Sequence, residues 1–179
     1  MNKLPSVTII IPYKNNLKYL FIALKSAFNQ TYPKIKIIII YDDEDKSDLK
    51  HIKNFLNKRK IKKFYSIKIY VNKRNLGAGE SRNIGIRFCK SKYIAFLDSD
   101  DVWHKDKLKL QLNYMSINQI PISHTSYNII NELGDKISIR NIKKILYFQD
   151  ILNSCDIGLS TVMIDLKFLK KNKLKFPKI

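Results

Sequence analysis

The sequence predicts an α/β fold in which a mostly parallel sheet carries helices on both of its faces. Short apolar runs typical of buried strands alternate with longer segments whose apolar residues recur at helical spacing. Acidic or polar residues directly follow the first, second and fourth of these runs. Parallel strands joined by helices all end at one edge of the sheet, and α/β proteins bind ligands there. We therefore expect a binding site at that edge.

Length and composition limit the class of protein. The 179 residues fit one domain, and 45% hydrophobic with 27% charged residues is typical of a globular protein. The chain has two cysteines, Cys89 and Cys155, which fits a reducing compartment. Neither cysteine has a Cys or His partner at metal-ligand spacing. The N-terminus lacks a secretory signal, and no apolar run could span a bilayer. We predict a cytoplasmic protein.

The charge is strongly basic, with 34 Lys and Arg against 15 Asp and Glu and a net charge of +19. Such a balance suits a nucleic acid, an anionic membrane face or a polyanionic ligand. It also arises from biased composition, with lysines on solvated faces, and the even spread of lysines favours that explanation. No nucleic-acid-binding motif is found, so we expect no nucleic acid partner. Peripheral association with an anionic membrane stays open.

The predicted elements of the first half are three strands and three helices. The strands span residues 7–11, 35–41 and 67–71. The first helix follows a cap at Asn15 or Asn16, the second helix runs from Asp48 to about Lys60, and the third helix opens at residues 75–83. Apolar residues at helical spacing in the first two helices are expected to pack on the sheet.

The fourth predicted strand, residues 93–97, leads directly into Asp98, Asp100 and Asp101. Carboxylates this close repel one another unless a cation lies between them. Oxygen ligands of this kind suit Mg²⁺ or Mn²⁺, usually shared with a substrate phosphate. The alternative is an acidic turn in which Asp101 caps the next helix.

The last third is less regular. A helix is predicted over residues 105–115, a hairpin or edge strands over 124–140 with a turn at 131–135, a strand over 158–164, and a short basic helix to about Lys173. Trp103 and Tyr127 are expected to pack in the core rather than to stack on a base or sugar. The three histidines are expected to be surface or packing residues.

Several motifs together resemble the family 2 glycosyltransferases, whose fold is the Rossmann-like GT-A fold. The matching segments are residues 7–12, 29–33, 40–43, 75–77, 81–86 and 93–103. Residues 1–179 are then expected to form a single nucleotide-sugar-binding GT-A domain. The segment resembling residues 160–177 leads, in the family, into an acidic pair that holds the general base. The chain stops before that pair, so we expect the domain to be incomplete at its C-terminus and this chain to transfer slowly or not at all.

The resemblance implies transfer of a sugar from a nucleoside diphosphate donor to an acceptor hydroxyl, usually with inversion and with Mn²⁺ or Mg²⁺. A UDP-sugar is favoured as the commonest donor in the family. The acceptor would be a saccharide or a lipid-linked saccharide in bacterial surface polysaccharide or lipopolysaccharide synthesis.

The resemblance also implies site residues. Those that would hold the nucleotide-sugar are Pro12, Tyr13, Asp42, Asp43, Arg82, Asp98 and Ser99. Asp98 and Asp100 would bind the metal, and Asp100 would be its main ligand and the catalytic carboxylate. The chain departs from the family pattern at Lys14, where an aromatic residue is common, and at residues 44–45, where Gly-Ser is common.

Two other functions are compatible with parts of the sequence. Residues 98–102 also fit the nucleophile motif of haloacid-dehalogenase-type phosphatases, in which Asp98 would be phosphorylated. That motif normally opens its domain, whereas here it follows the fourth strand. The second alternative is a basic binding module without enzymatic activity.

Overall fold

The structure is a computed structural model that describes residues 4–58, 66–154 and 156–177. Its strands are β1 (Val7–Tyr13), β2 (Ile35–Tyr41), β3 (Ser66–Val71), β4 (Tyr93–Phe96), β5 (Ile122–Ser123), β6 (Tyr127–Ile130), β7 (Lys136–Arg140) and β8 (Met163–Asp165). Its helices are α1 (Leu17–Phe28), α2 (Ser47–Asn57), α3 (Gly77–Phe88), α4 (Lys107–Ile117), α5 (Phe148–Asn153) and α6 (Leu166–Lys171), and a 3₁₀ turn spans Leu159–Thr161.

The central sheet has six strands in the order β3-β2-β1-β4-β8-β5. The strands β3, β2, β1 and β4 are parallel to one another, and β8 pairs antiparallel with both β4 and β5. The prediction of a mostly parallel α/β sheet is confirmed. Because β1, β2 and β4 are neighbours and parallel, the residues that follow them meet at one edge.

Apolar residues cover both faces of the sheet, as the β-branched runs predict. In β1, Ile9 and Ile11 pack with the cluster that includes α1, α2 and α4. The residue between them, Ile10, packs on the opposite face against Ile86 of α3 and Leu169 of α6. Successive strand residues point to opposite faces, so a strand with helices on both sides needs apolar residues at every position.

Two local predictions, and the alternative in which Asp101 caps a helix, are wrong in detail. Asn16 stands at the N-cap position of α1, but its side chain makes no cap hydrogen bond and its φ of 73° is left-handed. The segment predicted as a strand over 158–164 is mostly the 3₁₀ turn, and pairing begins only at Met163. Asp101 caps no helix, since α4 begins at Lys107 with Asp106 at its N-cap position.

The predicted hairpin is confirmed as β6 and β7, which form a separate two-stranded antiparallel sheet. Its turn exposes Leu133, which is 87% accessible. Cys89 is buried, and Cys155 lies outside the described residues. None of the helices in the described ranges is long and apolar enough to cross a membrane.

Candidate functional site

A cleft of about 390 Å³ lies where β1, β2 and β4 end and α3 begins. It is lined by Pro12, Tyr13, Lys14, Asp42, Asn75, Gly77, Ala78, Arg82, Asp98, Ser99 and Asp100. Every site residue that the resemblance implied, except Asp43, is in this set. The strand order explains the convergence, because three neighbouring parallel strands deliver their following residues to one point.

Arg82 and Asp98 form an ion pair in the cleft. A guanidinium nitrogen of Arg82 lies 2.5 Å from Oδ1 of Asp98, and the two side chains are 13% and 30% exposed. The Arg82 guanidinium also lies 5.5 Å from the ring centre of Phe176. Its Nε is buried and makes no hydrogen bond with the described residues. The pair thus keeps a fixed positive charge next to the acidic residues that follow β4.

Asp42 anchors the segment between β3 and α3. Its Oδ1 accepts hydrogen bonds from Asn72 Nδ2 at 2.7 Å and from the backbone N–H of Leu76 at 2.8 Å. Its backbone oxygen accepts a third from Asn75 Nδ2 at 2.7 Å. Asp42 is buried, so these bonds replace the water that its carboxylate loses. Asp42 therefore shapes one wall of the cleft.

Asn72 is a site residue that the sequence did not predict, and Asn75 was expected only as part of the segment 75–77 that resembles the family. Asn72 Nδ2 is also 3.2 Å from Ser81 Oγ in α3, so it connects the end of β3 to that helix. The hydrophobic periodicity that predicts strands and helices does not indicate a polar connecting residue such as Asn72. The hint that the sequence offered was a pair of asparagines, Asn72 and Asn75, on either side of residues 73–74.

Asp43 lies beside the cleft rather than in its lining. Its carboxylate accepts hydrogen bonds from the backbone N–H groups of Asn15 at 2.9 Å and Asp45 at 3.2 Å. These bonds join the segments after β1 and β2. The Tyr13 hydroxyl donates to Asp48 in α2, and burial together with this carboxylate raises the pKa of Tyr13. The phenol therefore stays protonated at neutral pH.

The acidic loop, residues 98–103, is held by a residue far along the chain. Ser160 Oγ accepts a hydrogen bond from the backbone N–H of Asp98 at 2.9 Å. The Ser160 hydroxyl also lies beside the carboxylate of Asp101 and stabilises its charged form. The Ser160 carbonyl accepts from Trp103 Nε1 at 2.8 Å, and Trp103 is buried in the core as predicted. Desolvation raises the pKa of Asp101, the charges of Asp98 and Asp100 raise it further, and the Ser160 hydroxyl opposes them.

The donor set suits a cation that is shared with a ligand. Asp100 is exposed and makes no hydrogen bond or ion pair with the described part of the chain. No group of three or more His, Cys, Asp or Glu residues in the described ranges could hold a metal ion by itself. Mg²⁺ is usually bound by one or two carboxylates together with substrate phosphates and water. Asp98 and Asp100 fit that arrangement and do not fit an all-protein cage.

The known proteins that this chain resembles in sequence are glycosyltransferases. The family described as "Glycosyl transferase family 2" matches residues 8–175. An uncharacterized glycosyltransferase of Rickettsia conorii is 36% identical over 170 residues, covering 93% of this chain and 27% of that protein. The Escherichia coli enzyme WfgD, a UDP-Glc:α-D-GlcNAc-diphosphoundecaprenol β-1,3-glucosyltransferase, is 31% identical over 171 residues, covering 96% and 64%.

Among solved structures, residues 1–349 of Staphylococcus aureus TarS in complex with UDP superimpose with a TM-score of 0.75 at 20% identity. The match covers 97% of this chain and 50% of that one. It shows a shared fold.

Proposed function

Since the chain belongs to glycosyl transferase family 2 and has its GT-A fold, we propose that its cleft binds a nucleoside diphosphate sugar for transfer to an acceptor hydroxyl. The observation that carries the proposal is the convergence of Tyr13, Asp42, Arg82, Asp98 and Asp100 in one cleft. Such a set offers an aromatic ring, a cation and carboxylates within a space of nucleotide size. A UDP-sugar is the favoured donor because the TarS complex holds UDP and the E. coli relative is named for UDP-Glc.

Each residue has a role that its surroundings support. Pro12, Tyr13 and Asp42 form the wall that would contact the nucleoside, and Asp43 would act indirectly by holding the segments after β1 and β2. Arg82 has a buried Nε without a partner in the described chain, which suits contact with an anionic diphosphate. Ser99 lies between the two metal-binding carboxylates and would contact the nucleotide-sugar.

Asp98 and Asp100 are the residues that would hold Mn²⁺ or Mg²⁺, with Asp100 as the main ligand. The cation, when bound, neutralises the charge that develops on the diphosphate leaving group. Arg82 contributes in the same direction, because its fixed positive charge lies beside Asp98. Transfer by direct attack of the acceptor would invert the anomeric configuration.

The acceptor that we propose is a saccharide, free or lipid-linked, in bacterial surface polysaccharide synthesis. The name of the E. coli relative includes a diphosphoundecaprenol-linked sugar as its acceptor. A phosphatase function has no such support, because Asp98 follows β4 rather than the first strand and is paired with Arg82.

Nucleotide binding measured by calorimetry tests this function. We expect UDP and UDP-sugars to bind more tightly with Mn²⁺ than with EDTA, and Asp100→Ala to remove most of that difference. Asp101→Ala should have a smaller effect on metal dependence. The control is Glu132→Ala, an exposed acidic residue in the distant hairpin turn. Equal affinity with Mn²⁺ and EDTA would contradict the metal assignment, and failure to bind any nucleotide would contradict the donor site.

We also propose weak association of the basic surface with anionic lipid, which would bring the cleft to a lipid-linked acceptor. The net charge of +19 supports it, and each lysine near such a surface adds about 1 kcal/mol at low salt. Flotation with anionic vesicles should decrease as salt increases. Flotation that does not change with salt contradicts an electrostatic attachment.

A further inference from the structure

We propose that Ser160 is a positioning residue that sets the shape of the acidic loop for ligand binding. The expected effect of Ser160 on metal and nucleotide binding rests on the proposed function. The contact between Ser160 and the acidic loop is tested without any ligand. Ser160 lies in the 3₁₀ turn before β8 and is buried. It was absent from the site residues that the sequence implied.

Ser160 contacts the loop at both ends and in the middle. At the start its Oγ accepts from the Asp98 N–H at 2.9 Å, and at the end its carbonyl accepts from the Trp103 indole at 2.8 Å. Between these, its hydroxyl lies beside the Asp101 carboxylate and stabilises the charged form. The hydroxyl has one proton to donate and lone pairs to accept, so a single side chain makes two of the three contacts.

The turn that carries Ser160 is itself held from α4. Gln111 Nε2 donates to the carbonyl of Thr161 at 2.9 Å and to Ser123 Oγ at 2.9 Å. Gln111 Oε1 accepts from Lys107 Nζ at 2.8 Å. That ammonium lies 4.4 Å from the centre of the Trp103 ring. The path from Trp103 through Ser160, Thr161, Gln111 and Lys107 therefore returns to Trp103.

This closed path of contacts restricts the backbone of the acidic loop around Asp98 and Asp100, the proposed ligand-binding residues. The backbone of Asp98 is held by Ser160 while its carboxylate is held by Arg82. Asp100, two residues later, has no hydrogen-bonded partner in the described chain, so the direction of its carboxylate depends on the backbone around it. Fixing that backbone before the ligand arrives lowers the entropy lost on binding.

The chain supplies its own reporter for this loop, because Trp103 is its only tryptophan. Emission wavelength and acrylamide quenching of Trp103 therefore measure the packing of the loop in the ligand-free protein. The informative variants are Ser160→Ala, which removes the hydroxyl that accepts from the Asp98 N–H, and Ser160→Thr, which retains a hydroxyl. Ser160→Cys keeps the volume with a weak hydrogen-bonding group and serves where Ser160→Ala does not fold.

The matched control is Thr161→Val. Thr161 is buried in the same turn, and its hydroxyl donates only to the local carbonyl of Gly158 at 2.6 Å. A purely structural effect on the turn should appear in both Ser160→Ala and Thr161→Val. An effect on the acidic loop should appear in the Ser160 variants alone.

We expect Ser160→Ala and Ser160→Cys to shift Trp103 emission to the red and to increase its quenching, with Thr161→Val unchanged. Loss of the bond to the Asp98 N–H should weaken Mn²⁺-dependent UDP binding about tenfold. Ser160→Thr should restore both readouts. If Ser160→Ala and Ser160→Cys match the unmodified protein in Trp103 quenching, or if Thr161→Val loosens Trp103 equally, the proposal is wrong. If the unmodified protein binds no nucleotide, the proposed function fails, and the quenching result still decides the role of Ser160.

Discussion

Arg82 of α3 donates to Asp98 at 2.5 Å and so joins the helix to the acidic loop that follows β4. The pair holds one of the two candidate metal ligands in place, and any cation at this position would share Asp98 with the guanidinium. The ion pair is mostly shielded from solvent, unlike the other arginine pair of the same helix, Arg87 with Glu80, in which Arg87 is 61% exposed. Helix α3 therefore provides both an experiment and its control.

Arg82→Met should destabilise the protein by about 2 kcal/mol, because it leaves Asp98 partly buried without its partner. Arg87→Met should cost less than about 0.5 kcal/mol, since Arg87 is exposed to water and Glu80 keeps the hydrogen bond from Asn83. Urea unfolding measures both. Similar losses for the two variants would contradict a special role for the Arg82 pair in stability.

Asp42→Ala should destabilise the protein by about 2 kcal/mol, because the buried amide of Asn72 and the N–H of Leu76 both lose their acceptor. Glu44→Ala is the control, since Glu44 is an exposed acidic residue two positions away. The free energy of unfolding is the measurement for both. UDP affinity should fall in Asp42→Ala as well, because residues 75–78 line the cleft. Unchanged stability in Asp42→Ala would show that the segment does not depend on this anchor.

Gly85→Ala should destabilise the protein by about 2 kcal/mol through overpacking. A Cβ at Gly85 would lie 2.5 Å from Cγ2 of Ile10, in the middle of β1. Ile10→Ala removes the atoms that would clash, so the double variant should be more stable than the sum of the two single losses predicts. Strict additivity in this double-mutant cycle would place the cost of Gly85→Ala elsewhere, in backbone adjustment, because Ala has a higher helix propensity than Gly.

The stability of the protein should increase between about pH 7 and about pH 9.5. Burial lowers the pKa of Lys107 to about 7, so over this range the unfolded chain binds a proton that the folded protein does not. The slope is at most about 1.4 kcal/mol per pH unit. Burial raises the pKa of Tyr32 and Tyr41, so ionisation of these phenols opposes folding only at higher pH.

Lys107→Met should flatten this slope, whereas Lys109→Met, at an exposed position of the same helix, should leave it unchanged. Urea midpoints at several pH values provide the measurement. A slope that survives in Lys107→Met would assign the linked proton to another group.

Hydrophobic pattern alone determined the sheet and its helices. Apart from Thr8 and Lys36, the runs at residues 7–11, 35–41 and 93–97 are apolar at consecutive positions, and only strands covered on both faces bury nearly every residue in such runs. The same pattern placed Asp42 and Asp98 at one edge, because parallel neighbours end together. The motif resemblance then implied which residues line the cleft.

Only the tertiary structure decided how those residues are held. Ser160 lies 62 residues from Asp98 in the sequence, and a lone serine in an irregular segment has no period or charge pattern that predicts its partner. The same is true of Asn72 with Asp42 and of Gln111 with Thr161. A hydrogen bond requires two atoms within about 3 Å, a condition set by the packing of distant elements rather than by the residues on either side. Burial follows from local pattern, whereas the choice of polar partner depends on the completed fold.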